Sequence, residues 1–101
     1  MISDRKQLAS VIHLLHGGHA TYRESVPVKE TWQGKTVWDG IVEVFDLRGH
    51  PEANTAYAWS HETDDPKNPQ RHVAVLHIPP VVSPVTAVRA ALLQEHRNAQ
   101  A

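Results

Sequence analysis

A chain of 101 residues is the common size for one domain, and halves of it would be too small to bury a core without cross-links. Ten basic and eleven acidic side chains leave a formal charge of −1, which offers no store of positive charge for neutralising a run of phosphates. The absence of cysteine excludes disulfides, thiolate nucleophiles and cysteine-based zinc sites, and fits a reducing, cytoplasmic setting.

The first element reads as a helix. Ser3 is placed to cap it, Asp4 suits its first turn, Leu8, Val11, Ile12 and Leu15 recur at helical spacing, and Gly17-Gly18 stops it. The apolar run from Leu8 to Leu15 is interrupted by Ser10 and His13 and precedes no A-x-A-like cleavage site, so it reads as mature structure rather than a signal peptide. Nothing approaches the roughly 20 apolar residues needed to cross a bilayer, so no membrane role is expected.

From Thr21 the period changes to two, with Tyr22, Val26, Val28 and Trp32 on one side of a strand. A hairpin follows through Gln33-Gly34-Lys35. Setting Trp32 opposite Trp38 also sets Val28 opposite Val42 and Val26 opposite Val44, the register that aligns the apolar pairs. Gly40 marks an expected bulge, and Pro27, which cannot donate to a ladder, places the first strand at a sheet edge or turns that position outward.

Residues 48–54 read as a loop, Thr55 to Glu62 as the third strand, and 63–70 as a polar connector with two prolines. His72 to Ile78 is a β-branched run suited to a fourth strand, ended by Pro79-Pro80. Ser83-Pro84 supplies a cap and a first-turn proline for a last helix carrying Val85, Ala87, Val88, Ala91 and Leu92, with a tail expected to fray from Arg97. The reading is one domain over residues 1–101, of α+β class and order α-β-β-β-β-α. Its four-stranded, mostly antiparallel sheet is expected to carry both terminal helices on one face.

Under that arrangement the other face should be polar, yet Ile41 and Phe45 oppose Val42 and Val44, and Ala74, Leu76 and Ile78 oppose Val73 and Val75. A second apolar face needs cover, so the sequence predicts a homodimer formed by packing of sheet faces, the plainer alternative being a monomer whose sheet curls around a single core through a bulge at Gly40.

Eight histidines are the outstanding feature of composition. His13, His16 and His19 form H-x-x-H-x-x-H, and on one helix His13 and His16 would share a face as ligands to a divalent metal must. The run lacks the HExxH glutamate, and Gly17-Gly18 separates His19 from the helix. A second set, His61, His72 and His77, falls on strands expected to be neighbours, with Tyr57 and Trp59 sharing the face of His61. Polar tips converging among aromatics make a small-molecule pocket or an interface. The plainer alternative is that Tyr57 and Trp59 are core residues whose polar atoms find backbone partners.

Asp39 and Glu43 stand four strand positions apart, about 13 Å by strand rise, too far for a paired acid and base, and read as solvated. No nucleophile elbow, phosphate-binding loop or dinucleotide fingerprint occurs, so no catalytic residue is assigned. Helix-sheet-helix order loosely resembles the double-stranded-RNA-binding fold. That fold has three strands and a basic entry to its last helix, where this chain has Ser83-Pro84-Val85-Thr86. Nucleic acid is therefore the weakest partner class.

The segments Glu24-Ser25-Val26-Pro27-Val28, Trp38 through Leu47, Gly49-His50-Pro51, Tyr57-Ala58-Trp59 and Pro79 through Pro84 resemble a group of small bacterial proteins of unknown function, over about residues 20–92. The resemblance implies a bacterial, free-standing domain and transfers no activity or site residue. The functional expectation is an accessory or binding domain acting through protein or small-ligand contacts at Tyr57, Trp59, His61, His72 and His77. The alternatives are a small histidine-dependent enzyme or a metal-binding protein using His13 and His16, and third an RNA-binding-like module.

Overall fold

Helix α1 (Ile2–His16) closes its last turn with the Gly17 amide donating to the His13 carbonyl at 2.9 Å. Gly17 and Gly18 then take φ values of +82° and +81° and reverse the chain into strand β1 (His19–Trp32). Glycine is required at the second of these: a Cβ on Gly18 would stand 2.8 Å from the Arg48 carbonyl oxygen. The computed structural model describes residues 2–63, 65–67 and 69–100, with side chains between Arg5 and Arg97. The capping roles expected of Ser3 and Asp4 lie outside the described side chains, as does most of the tail expected to fray, whose backbone stays helical to Gln100.

Strands β1, β2 (Lys35–Arg48), β3 (Thr55–Glu62) and β4 (Gln70–Leu76) form one antiparallel meander in the order β1-β2-β3-β4. Helix α2 (Pro84–Gln100) completes an α+β fold of order α-β-β-β-β-α. Pro27 sits in β1 at the sheet edge, where its missing N–H costs no ladder bond.

The β1–β2 register departs from the apolar alignment, by two residues between the bulges, where Val26 pairs with Val42 and Glu24 with Val44, and by three at the turn, where Trp32 pairs with Lys35. Turn geometry overrode side-chain pairing. Gln33 and Gly34 both have positive φ, +51° and +78°, the requirement of a two-residue type I′ turn whose twist matches its strands. Between the bulges the slip is an even number, so side chains there keep their faces. The bulges also fall elsewhere than Gly40, at Tyr22/Glu24 and at Glu30/Thr31. Gly40 instead makes room: a Cβ there would lie 3.1 Å from the Trp38 ring.

The two helices cover opposite faces of the sheet, not one. Leu8 and Ile12 of α1 pack on Phe45, Leu47, Ala56 and Ala58, while Ala87 and Val88 of α2 pack on Val42, Val44, Tyr57 and Trp59. Residues 56 and 58 alternate with 57 and 59, so these clusters are the two sides of one strand. Apolar positions on both faces of β2 and β4 thus report a sheet buried between layers. With a helix packed on each face, the uncovered sheet face that predicted a dimer is not found among the described residues.

Each helix is also held by charge at its rim. Arg5 of α1 lies over the Tyr22 ring at 4.0 Å and reaches Glu43 at 3.4 Å. Arg89 of α2 donates to the Glu30 carboxylate, which raises the guanidinium's pKa. The α2 cap is reciprocal: the Thr86 amide donates to Ser83 Oγ at 3.2 Å and the Ser83 amide to Thr86 Oγ1 at 2.9 Å.

Crowding at Gly40 gives a direct test. Gly40→Val is expected to lower unfolding free energy by about 1–3 kcal/mol, the usual cost of overpacking, measured by urea denaturation with Trp fluorescence. Gly34→Ala, which meets no atom within 4 Å, separates steric crowding from the strain of a positive φ.

Candidate functional site

The middle of the sheet forks. Pairing between β2 and β3 runs from Asp46–Thr55 only as far as Glu43–Ala58. Beyond that point β2 stays paired with β1 down to Lys35, and β3 stays paired with β4 up to Glu62–Gln70. The two central strands therefore part, each held by its outer neighbour, and α2 lies across the opening.

A cleft of about 270 Å³ occupies this fork, lined by Trp38 and Asp39 from β2, Trp59 and His61 from β3, and Leu92 and Glu95 among the α2 residues. The Trp38 and Trp59 rings meet edge to face, 5.6 Å between centroids at 71°, the arrangement that sets a positive ring edge against a negative face. Trp59 is almost fully buried and belongs to the α2-side core, so one wall is rigid.

His61 brings the polarity. Its Nδ1 lies 3.2 Å from the Glu62 carbonyl oxygen; a carbonyl only accepts, so this nitrogen carries the proton. In the neutral ring Nε2 is then an acceptor. It is buried and has no hydrogen-bond partner among the described residues. Glu95 Oε1 stands 4.0 Å from it, within ion-pair distance but too far for a hydrogen bond.

The other histidines expected to converge do not. His72 pairs with Ser60 on the α1 side of the sheet, Nδ1 to Oγ 2.6 Å, and lines a separate groove of about 540 Å³ with Val11, Leu14 and Leu15. His77 lies beyond β4, where its Nδ1 shares a 2.6 Å hydrogen bond with the Tyr57 hydroxyl. Thus Tyr57 and His77 satisfy one another inside the protein, and only Trp59 and His61 of the predicted set line the fork.

His13 and His16 are likewise committed to carbonyls. His13 Nδ1 donates to Gly18 at 2.6 Å and its ring stacks on His19, 5.6 Å between centroids. His16 Nε2 donates to the Ala74 carbonyl at 3.0 Å. The His77 amide donates to Thr55, so positions 55/77, 57/75 and 59/73 are the bonded pairs and the Ala74 carbonyl faces the open edge of β4. His16 therefore guards a sheet edge. No group of three or more His, Asp or Glu side chains that could hold a metal ion occurs among the described residues.

Trp38 and Glu95 are the site residues that sequence reasoning missed, because nothing local announces that β2 leaves β3 there; Asp39, read as solvated, is exposed at the rim of the cleft. The nearest signal was Gly40, whose missing Cβ admits the Trp38 ring. No family model matches the chain, and no curated protein or solved structure matches it. Among the described residues, no helix is long and apolar enough to cross a membrane.

Burial raises the Tyr57 phenol above its ordinary pKa of 10.0, with Arg23 pulling modestly the other way. Above pH 10 the unfolded chain releases this proton first, so the unfolded state is favoured as pH rises from the ordinary value through the folded one. Stability is expected to fall over that range, and Tyr57→Phe to flatten the fall, in urea denaturation followed at a series of pH values.

Proposed function

We propose that the chain is a small-ligand binding domain that takes its ligand in the fork between β2 and β3. The observation that carries this reading is the convergence, in one concavity, of two indoles, a carboxylate and an unpartnered imidazole nitrogen. Apolar walls with a few oriented polar groups are what a small-molecule site requires. The cysteine-free composition supports a cytoplasmic setting, and the likeness of residues 20–92 supports a bacterial one.

A fragment screen read by amide and indole chemical shifts tests this. Binding fragments are expected to move Trp38, Asp39, Trp59, His61 and Glu95 together. Shifts confined to the Leu14–His72 groove, or none in the fork, would reject the reading.

A second reading concerns self-association. Leu14 and Leu15 are 81% and 63% exposed at the end of α1, and with Val11 they form the apolar wall of the larger groove. Adjacent exposed leucines on one helix end favour a homodimer through this surface. Light scattering is expected to give twice the chain mass at micromolar concentration, and Leu14→Glu to return it to the single-chain value. A single-chain mass for the unaltered protein would reject the dimer without touching the fork.

A further inference from the structure

We infer that the fork cleft recognises a compact organic cation bearing N–H donors, an alkylammonium attached to an apolar or aromatic body. This rests on the reading of the fork as a ligand site and adds the chemical class of the occupant.

The polar atoms there set the sign. Glu95 contributes a carboxylate, and His61, with its proton fixed on Nδ1 by the Glu62 carbonyl, presents Nε2 as a second acceptor. No lysine or arginine lines the cleft. Of the nearby cations, Arg89 is engaged with Glu30, Arg71 stands opposite His61 in register and lines the other groove, and Lys29 stands opposite Asp39. An anionic ligand would meet the Glu95 carboxylate. A purely apolar one would leave every acceptor without a donor.

Geometry places the donor. Glu95 Oε1 and His61 Nε2 are 4.0 Å apart, two acceptors with nothing between them. An ammonium nitrogen about 2.9 Å from each completes that triangle with ordinary hydrogen bonds. Because Nε2 is buried in the free protein, the Glu95 side chain shifts to admit the ligand, which its half-exposed position near the end of α2 permits. The indoles supply the second attraction, since a cation over an indole face gains about 0.5–2 kcal/mol. The volume, about 270 Å³, lies under the usual range for drug-sized ligands, which is why the ligand is compact.

The test uses the full chain and three probes that differ only in the head group: phenethylamine, phenethyl alcohol and 3-phenylpropanoate. Binding is read from the indole and amide shifts of Trp38, Trp59 and His61. Trp32→Phe removes the exposed indole at the hairpin tip from the spectrum. The amine is expected to saturate these shifts about tenfold more tightly than the alcohol, and the propanoate to leave them unmoved. Glu95→Gln, at an accessible carboxylate, should weaken the amine about fivefold while leaving the alcohol unchanged. If the alcohol or propanoate binds in the fork as tightly as the amine, the cation assignment is wrong and the ligand site stands. If no probe moves the fork resonances at millimolar concentration, both fail.

Discussion

Strand β3 must hide both of its faces, and the molecule is arranged around that demand. Residues 55–59 are all buried, with Ala56 and Ala58 on one side and Tyr57 and Trp59 on the other. Alanines let α1 approach closely with Leu8 and Ile12, whereas the aromatic side needs small partners, which Ala87 and Ala91 of α2 provide. Each aromatic removes about 150–250 Å² from water, worth several kcal/mol at about 25 cal/mol per Å². One helix cannot satisfy both requirements, so the helices from opposite ends of the chain take opposite sides.

The fork follows from the same strand. Past Ala58, β3 carries the Trp59 indole and then His61 toward α2, and the Trp38 ring enters the same space from β2. Two indoles edge to face fill the volume in front of the parting strands. The β1–β2 hairpin can leave because it is a long ribbon paired over nearly its whole length. Two-stranded ribbons twist more than sheets, and bulges at Tyr22/Glu24 and Glu30/Thr31 add to that twist. The Arg89–Glu30 pair ties the departing hairpin back to α2, so the opening is held from both sides.

Features written in a few adjacent residues were legible. The Ser83-Pro84 cap, the Gly17-Gly18 stop, the edge position announced by Pro27 and the third strand from Thr55 to Glu62 all emerge as read. Register was not, because counting apolar pairs ignored the I′ turn at Gln33-Gly34, whose backbone requirement is stronger than a cross-strand contact. Nor was sidedness, since an amphipathic stripe says that a helix packs and not on which face. The candidate site was half legible: Trp59 and His61 share a strand, but Trp38 and Glu95 reach them across 21 and 34 positions (59 − 38 and 95 − 61) through a strand divergence that leaves no local mark.

The histidines sharpen the case for the fork by contrast. Abundance alone suggested metal or catalysis, yet most of those placed are structural fasteners. His13 and His16 donate to carbonyls, His72 and His77 share hydrogen bonds with hydroxyls, and His50 Nδ1 accepts from the amides of Glu52 and Ala53 at 3.0 Å to shape its turn. In His50 the accepting nitrogen is Nδ1; in His61 the Glu62 carbonyl forces the proton onto that atom and turns the acceptor inward. Leaving a buried acceptor unpaired costs about 1–3 kcal/mol. A fold that satisfies these five imidazoles with main-chain and hydroxyl groups bears that cost at the ring beside a carboxylate and two indoles. An occupant that donates to Nε2 recovers it.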